Sequence, residues 1–251
     1  MFRMTDQNIP DTAEVFDHFA ALTSIAPEPG GLLVFFGEAD SRGLAMAAAA
    51  NIAGAASLGV DANAARVKIA LRQGLCDFMV NSLDEALRIL KNQIRKKEPV
   101  AVALMGDPER LAAEMLERGV QPDLLACGLQ AEAFIERGAK VLPAAMAMCN
   151  SLVVTWSVSQ DAAQWLPRVD AIAIEALEDV SDPRAKWIRL APRYLQKSLS
   201  HERYVRMGAE ELLRFVELLQ QRTHSGEIAV PVRVSSGGLP VVQPADSSAA
   251  V

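Results

Sequence analysis

The stretch L-L-V-F-F-G-E-A-D-S-R-G-L, Leu32 to Leu44, decides how the chain is read. It begins with a continuous apolar run, Leu32 to Phe36, of the kind found in a strand covered on both faces. A glycine and two acids follow. Next comes an Ala-rich apolar run, Leu44 to Leu58, too short and too small-sided to span a membrane. It reads as a buried helix running into a second strand, Ala56 to Val60. Strand, turn, helix and strand in that order open a parallel α/β sheet.

The pattern repeats on either side. Upstream, Val15, Phe16, Phe19 and Leu22 recur at helical spacing within Asp11 to Leu22, and Pro27, Pro29, Gly30 and Gly31 stop that helix. Downstream, a helix over Ala64 to Arg72 closes at Gly74, and one over Ser82 to Lys96 opens with the capping pattern S-L-D-E. Strand Val100 to Met105 leads through Gly106, Asp107 and Pro108 into helix Glu109 to Arg118, where Asp107 caps and Pro108 takes the first position. A further strand is expected at Asp123 to Cys127. Residues 1–150 therefore predict a Rossmann-like parallel sheet with flanking helices and right-handed crossovers.

Residues 151–234 predict a smaller α/β lobe. Ala144 to Trp165 is apolar without a clear period, Val169 to Ile174 reads as a strand, and Asp182-Pro183-Arg184 starts a helix running to Lys197. Glu210 to Arg222 is a strongly amphipathic helix, whose wide apolar face predicts a subunit interface, and Ile228 to Val234 is a strand. Residues 235–251, rich in Ser, Ala, Gly and Pro, read as a disordered tail.

Composition excludes some partners. The net charge of -6 leaves no excess of Lys and Arg to neutralise nucleic-acid phosphates or an anionic membrane. The one basic cluster, Arg95-Lys96-Lys97, ends a helix and suits its dipole. Cys76, Cys127 and Cys149 share no short spacing and no signal peptide precedes them, which predicts a reducing, cytoplasmic setting. His18, His201 and His224 have no metal-pair spacing and read as ordinary surface or capping residues.

The opening stretch also raises a cofactor question. A dinucleotide-binding turn uses glycines to bend tightly and to let backbone approach the pyrophosphate. Here Gly37 and Gly43 are the glycines of the turn, and Glu38 and Asp40 stand where a diphosphate would repel them. Asp61 follows the second strand, where a carboxylate commonly takes ribose hydroxyls; it also suits a helix N-cap. Gly37, Gly43, Asp61 and Asp107 are the candidate cofactor-binding positions. No cofactor is expected, with NAD at most weakly bound, and no metal.

The order of segments resembles urocanase (urocanate hydratase). The resemblance rests on T-A-E-V-F at Thr12 to Phe16, L-L-V-F-F-G, S-L-G-V-D-A-N-A-A-R-V at Ser57 to Val67, S-L-D-E-A-L at Ser82 to Leu87, and V-A-L-M-G-D with R-G-V-Q-P-D. W-I-R-L-A at Trp187 to Ala191, R-Y-V-R-M-G at Arg203 to Gly208 and S-G-E-I-A-V-P-V-R-V at Ser225 to Val234 extend it.

The resemblance implies an NAD-binding Rossmann domain and adjoining core, but the family's functional positions differ. Its glycine-laden loop, G-L-G-G-M-G-G, reads E-A-D-S-R-G-L here, leaving Gly43. Its ribose-binding Glu falls on Asp61, the Asn after its fourth strand on Asp107, and its D-Q-T-S on Cys127, Gly128, Leu129 and Gln130. Its active-site Cys falls on Val205 and its catalytic Asp on Gly237, and the sequence ends before the counterpart of the family's C-terminal portion. In that family NAD serves as an electrophile and an acid-base group delivers water. Val and Gly can do neither job.

The expectation is a non-catalytic urocanase-like protein, a pseudoenzyme serving as a binding or interaction module with itself or a related subunit. An enzyme of different specificity, using Glu38, Asp40, Asp61 and Asp107 to hold a small cationic or hydroxylated ligand, ranks second. An active urocanate hydratase of histidine degradation ranks last.

Overall fold

Local capping sets the first helices. Asp11 accepts the Ala13 amide and starts α1 (Thr12–Ile25). The chain then enters β1 (Leu33–Glu38) and turns within two residues into α2 (Ser41–Ala53). Every residue of α2 from Gly43 to Ala53 is buried, which small side chains permit between α1 and the sheet. Gly54, left-handed at φ 97°, ends α2 and releases the chain into β2 (Ala56–Asp61). The sequence continues through α3 (Ala64–Arg72), β3 (Phe78–Val80), α4 (Leu83–Lys96), β4 (Val100–Met105), α5 (Pro108–Glu117), β5 (Leu124–Leu125), α6 (Glu132–Glu136) and β6 (Lys140–Val141). Ser82 caps α4 and Asp107 caps α5, with Pro108 in its first turn.

These elements come from a computed structural model that describes residues 10–126, 131–143, 151–179 and 181–242. The chain divides into two compact units, residues 1–146 and 147–251. In the first, six parallel strands run in the order β3-β4-β2-β1-β5-β6. This is the expected Rossmann-like sheet. Leu33, Phe35, Leu58, Val60, Val102 and Leu104 build a core with Leu111 and Met115 of α5 and Phe134 of α6. Phe35 meets the Phe134 ring edge-on, with centroids 6.1 Å apart.

The second unit is a four-stranded antiparallel sheet, order β10-β9-β7-β8, with helices. It comprises β7 (Leu152–Val158), α7 (Ala162–Ala176), α8 (Pro183–Tyr194), α9 (Gln196–Leu199), β8 (Glu202–Met207), α10 (Ala209–His224), β9 (Val232–Ser236) and β10 (Leu239–Val242). Trp156 on β7 packs edge-on against Phe215 of α10 at 5.3 Å.

Several expectations are corrected in this unit. Val169 to Ile174 is not a strand; it lies in α7, where Leu166, Val169, Ile172, Ala173 and Ala176 bury one helical face. Pro167 sits inside that helix and hides its continuity from a sequence reading. The apolar run before it contains β7, and R-Y-V-R-M is β8. Ile228 to Pro231 is not strand, because β9 begins only at Val232. The helix expected through Lys197 ends at Tyr194 and resumes as α9. Residues 235–242, expected in a disordered tail, complete β9, turn at Gly237 and Gly238, and form β10; residues 243–251 lie outside the described residues.

The wide apolar face of α10 is also not a free surface. Leu212, Phe215 and Leu219 are buried, and Leu213 alone of its large apolar residues is strongly exposed, at 64%. Among the described residues, no helix is long and apolar enough to cross a membrane.

Candidate functional site

In a parallel sheet the ligand crevice lies beyond the strand C-terminal ends, where neighbouring connections diverge. β1 is flanked by β2 on one side and β5 on the other, so the end of β1 marks that place. The residues following β5 there, Cys127, Gly128, Leu129 and Gln130, lie outside the described residues.

The end of β1 is built tightly. Phe35 pairs with Leu58 and Gly37 with Gly59, so Phe36 is a bulge without a partner across the ladder. Its ring covers Gly59, where an added Cβ would come within 1.9 Å of it. Gly37 takes φ +74°, a conformation that favours glycine. The turn into α2 is only Ala39 and Asp40. Ala39 is buried and donates its amide to the Val60 carbonyl at 2.9 Å. Gly43 lies against the end of the strand, where a Cβ would fall 1.9 Å from the Glu38 carbonyl oxygen. Its role is close helix-strand contact.

The candidate carboxylates have neighbours within the chain, although Asp61 Oδ2 is buried without a hydrogen-bond partner among the described residues. Asp40 caps α2, its Oδ1 accepting the Gly43 amide at 2.8 Å. Asp107 caps α5, its Oδ1 accepting the Arg110 amide at 2.9 Å. Asp61 is buried and does not cap α3; Asn63 does, accepting the amides of Ala65 and Arg66. Asp61 Oδ1 accepts the Asn63 amide at 2.7 Å, and its Oδ2 lies 3.0 Å from Arg66 Nε. Arg66 Nη1 lies 3.3 Å from Glu38 Oε1, so one guanidinium spans the acids at the ends of β1 and β2. Arg66 was not singled out in the sequence; its place on α3, five residues beyond Asp61, was the available signal. The structure brings Gly37, Glu38, Asp40, Gly43 and Asp61 together around one turn, while Asp107 caps the helix after β4.

Residues 19–135 match the profile described as the urocanase Rossmann-like domain. The chain carries a urocanase Rossmann-like domain. The match falls within the first unit and spans α1 from Phe19 through most of α6. In that domain the motif S-L-G-V-D-A-N-A-A-R-V supplies β2, the buried Asp61 and the bridging Arg66, while L-L-V-F-F-G supplies β1 and its bulge.

The positions expected from the resemblance to matter chemically lie in the second unit. Val205 is wholly buried on β8, paired with Val154 of β7. Gly237 lies in the turn between β9 and β10 at φ +56° and donates its amide to Val153. An open hollow of about 450 Å³ between the end of α10 and β10, lined by residues including Leu219, His224, Ile228, Pro231 and Val242, involves neither position. Cys76 is buried, and burial first, with Asp77 beside it, pushes its thiol up to about 12, which makes it a poor nucleophile. Cys127 and Cys149 lie outside the described residues. Among the described residues no group of three His, Cys, Asp or Glu is placed to hold a metal.

The motifs W-I-R-L-A and R-Y-V-R-M-G have visible packing roles. Trp187 Nε1 donates to the Tyr204 carbonyl at 2.6 Å, tying α8 to β8. Arg184 bonds Asp182 and Glu211 at 2.6 Å each and also the Arg206 carbonyl, while Glu211 accepts the Gly208 amide at the start of α10. Such residues can persist for the fold alone, without chemistry.

Proposed function

We propose that this chain is a urocanase-like protein that does not hydrate urocanate and serves as a binding or interaction module of the cytoplasm. The observation that carries the reading is Val205, wholly buried in a sheet where the resemblance expects the active-site Cys. An aliphatic side chain there neither attacks nor moves a proton, and Gly237 supplies none at the other position. Both residues serve the strand and the hairpin turn in which they sit. The resemblance read in the sequence at W-I-R-L-A and R-Y-V-R-M-G, the motifs that join α8 to β8, supports the same reading.

Following urocanate's ultraviolet absorbance with added NAD tests the reading. No enzyme-dependent loss is expected. Val205→Cys should leave that result unchanged, because cooperating catalytic groups are not restored one at a time. It should also disturb stability little, since the volumes are similar. Steady turnover by either protein would overturn the reading.

Assembly with a second copy or a related subunit belongs to the same reading. Leu213, Leu239 and Val241 of the second unit are exposed at 64%, 73% and 44%, apolar surface suited to an interface. Light scattering should return a mass above that of one chain, and a monomer at high concentration would count against assembly.

A further inference from the structure

Among the described residues, the chain's own charged groups meet one another at the ends of β1 and β2. A dinucleotide asks two things of such a crevice: free amides at the N-terminus of the helix after β1 for a phosphate, and an accessible carboxylate after β2 for ribose hydroxyls. At α2 the amide of Gly43 is already bonded to the Asp40 carboxylate at 2.8 Å. That carboxylate also sits at the positive end of the helix dipole, where a phosphate would gain most. After β2, Asp61 is 1% exposed, with one oxygen on the Asn63 amide and the other against Arg66. The turn is tightly packed as well, with Gly43 against the Glu38 carbonyl and the Phe36 ring against Gly59.

We propose that this crevice is self-ligated: the Asp40 carboxylate takes the place of a phosphate at α2, the Arg66 guanidinium covers the ribose acceptor Asp61 while holding Glu38, and the domain therefore refuses NAD. The residues present do not fit the dinucleotide. Arg66 does not rescue phosphate binding, because two carboxylates already hold it. The proposal is independent of the loss of hydration, since a protein could bind NAD and still leave urocanate untouched.

Electrostatics set the size of the effect. Unit charges about 4 Å apart interact by about 1 kcal/mol in water and about 4 kcal/mol near a protein surface, so removing the Asp40 charge should strengthen anion binding at least tenfold, roughly 1.4 kcal/mol. Ser retains a capping oxygen, so α2 should still form in Asp40→Ser. The experiment is calorimetric titration of the full chain and this variant with NAD and with inorganic pyrophosphate at low salt.

The parent protein should show no saturable binding of NAD at millimolar concentration, and Asp40→Ser should bind pyrophosphate at least about tenfold more tightly than the parent. Asp40→Asn, which keeps an acceptor for the Gly43 amide without the charge, is the second variant if Ser disturbs folding. Arg66→Ala should not raise pyrophosphate affinity, since it removes a cation. Micromolar, stoichiometric NAD binding by the parent would overturn the proposal, as would pyrophosphate affinity unchanged in the Asp40 variants or raised in Arg66→Ala. Urocanate turnover is read separately, so failure here and failure of the non-catalytic reading are distinct results.

Discussion

Arg203→Met is expected to destabilise the second unit by about 3–5 kcal/mol at neutral pH, the usual cost of leaving one member of a buried ion pair alone. Arg203 and Asp170 are each 8% exposed. Arg203 Nε donates to Asp170 Oδ2 at 2.9 Å and to Oδ1 at 3.2 Å, its Nη1 donates to the Leu199 carbonyl, and Trp156 Nε1 donates to Asp170 Oδ1 at 2.9 Å. One guanidinium thus joins β8 to α7 and α9. Burial raises the pKa of Asp170 above the ordinary carboxylate value, with Arg203 and Trp156 pulling it back. A raised folded-state value contributes stability below the unfolded pKa and loses it as pH rises through the folded one. Without Arg203 the folded value rises further, so the deficit should shrink as pH falls. All three tryptophans, Trp156, Trp165 and Trp187, lie in this unit, so their fluorescence in urea reports it alone. A deficit below about 1 kcal/mol, or one equal at pH 7 and pH 5, would contradict the assignment. Asp170→Asn combined with Arg203→Met should recover much of the loss, because no uncompensated charge then remains buried.

The same pair explains part of what the sequence left unread. In β8, Arg203, Val205 and Met207 face inward and alternate with Tyr204 and Arg206. A charged residue at an inward position breaks the apolar alternation by which a strand is recognised, and its partner lies 33 residues away. In the first unit the signals were local. Continuous apolar runs marked β1, β2 and β4, and Ser82, Asp107 and Pro108 marked helix starts, because caps act within one turn. β5 falls within the strand expected at Asp123 to Cys127, whereas β3 and β6 offered only three and two residues, too few to establish a period.

At the candidate site, the loss of loop glycines and the acids of the turn were legible, since both are read from neighbouring residues. The Arg66 bridge was not, because joining Glu38 to Asp61 requires the register of β1 against β2. The expected exposure of α10 failed for a similar reason. A helix displays an apolar face equally whether its own sheet or another subunit covers it.

His18 gives the second large effect, and it overturns the reading of that residue as a surface or capping histidine. It follows Val15 by three residues and precedes Leu22 by four, which places it on the buried face of α1, and it is 4% exposed. Neither ring nitrogen has a hydrogen-bond partner among the described residues. Burial, with Arg42 of α2 adding repulsion, lowers its pKa from 6.5 to about 4, while Glu14 on its own helix lies 3.9 Å from Nε2. A depressed folded value means stability that is fully present above pH 6.5 and lost as pH falls towards 4. The gap amounts to about 3 kcal/mol. The protonated unfolded chain gains that advantage because the ring must shed its proton to enter the α1–α2 contact. His18→Leu has no proton to shed and no nitrogen to leave unbonded, so its stability at neutral pH should equal or exceed the parent's. Its pH dependence between 6.5 and 4 should be flatter by about 3 kcal/mol. The first unit contains neither Trp nor Tyr, so the comparison is made by amide hydrogen exchange in α1 and α2. Parallel pH profiles for parent and variant would mean that the imidazole is solvated in the native state and that α1 does not close over α2 at His18.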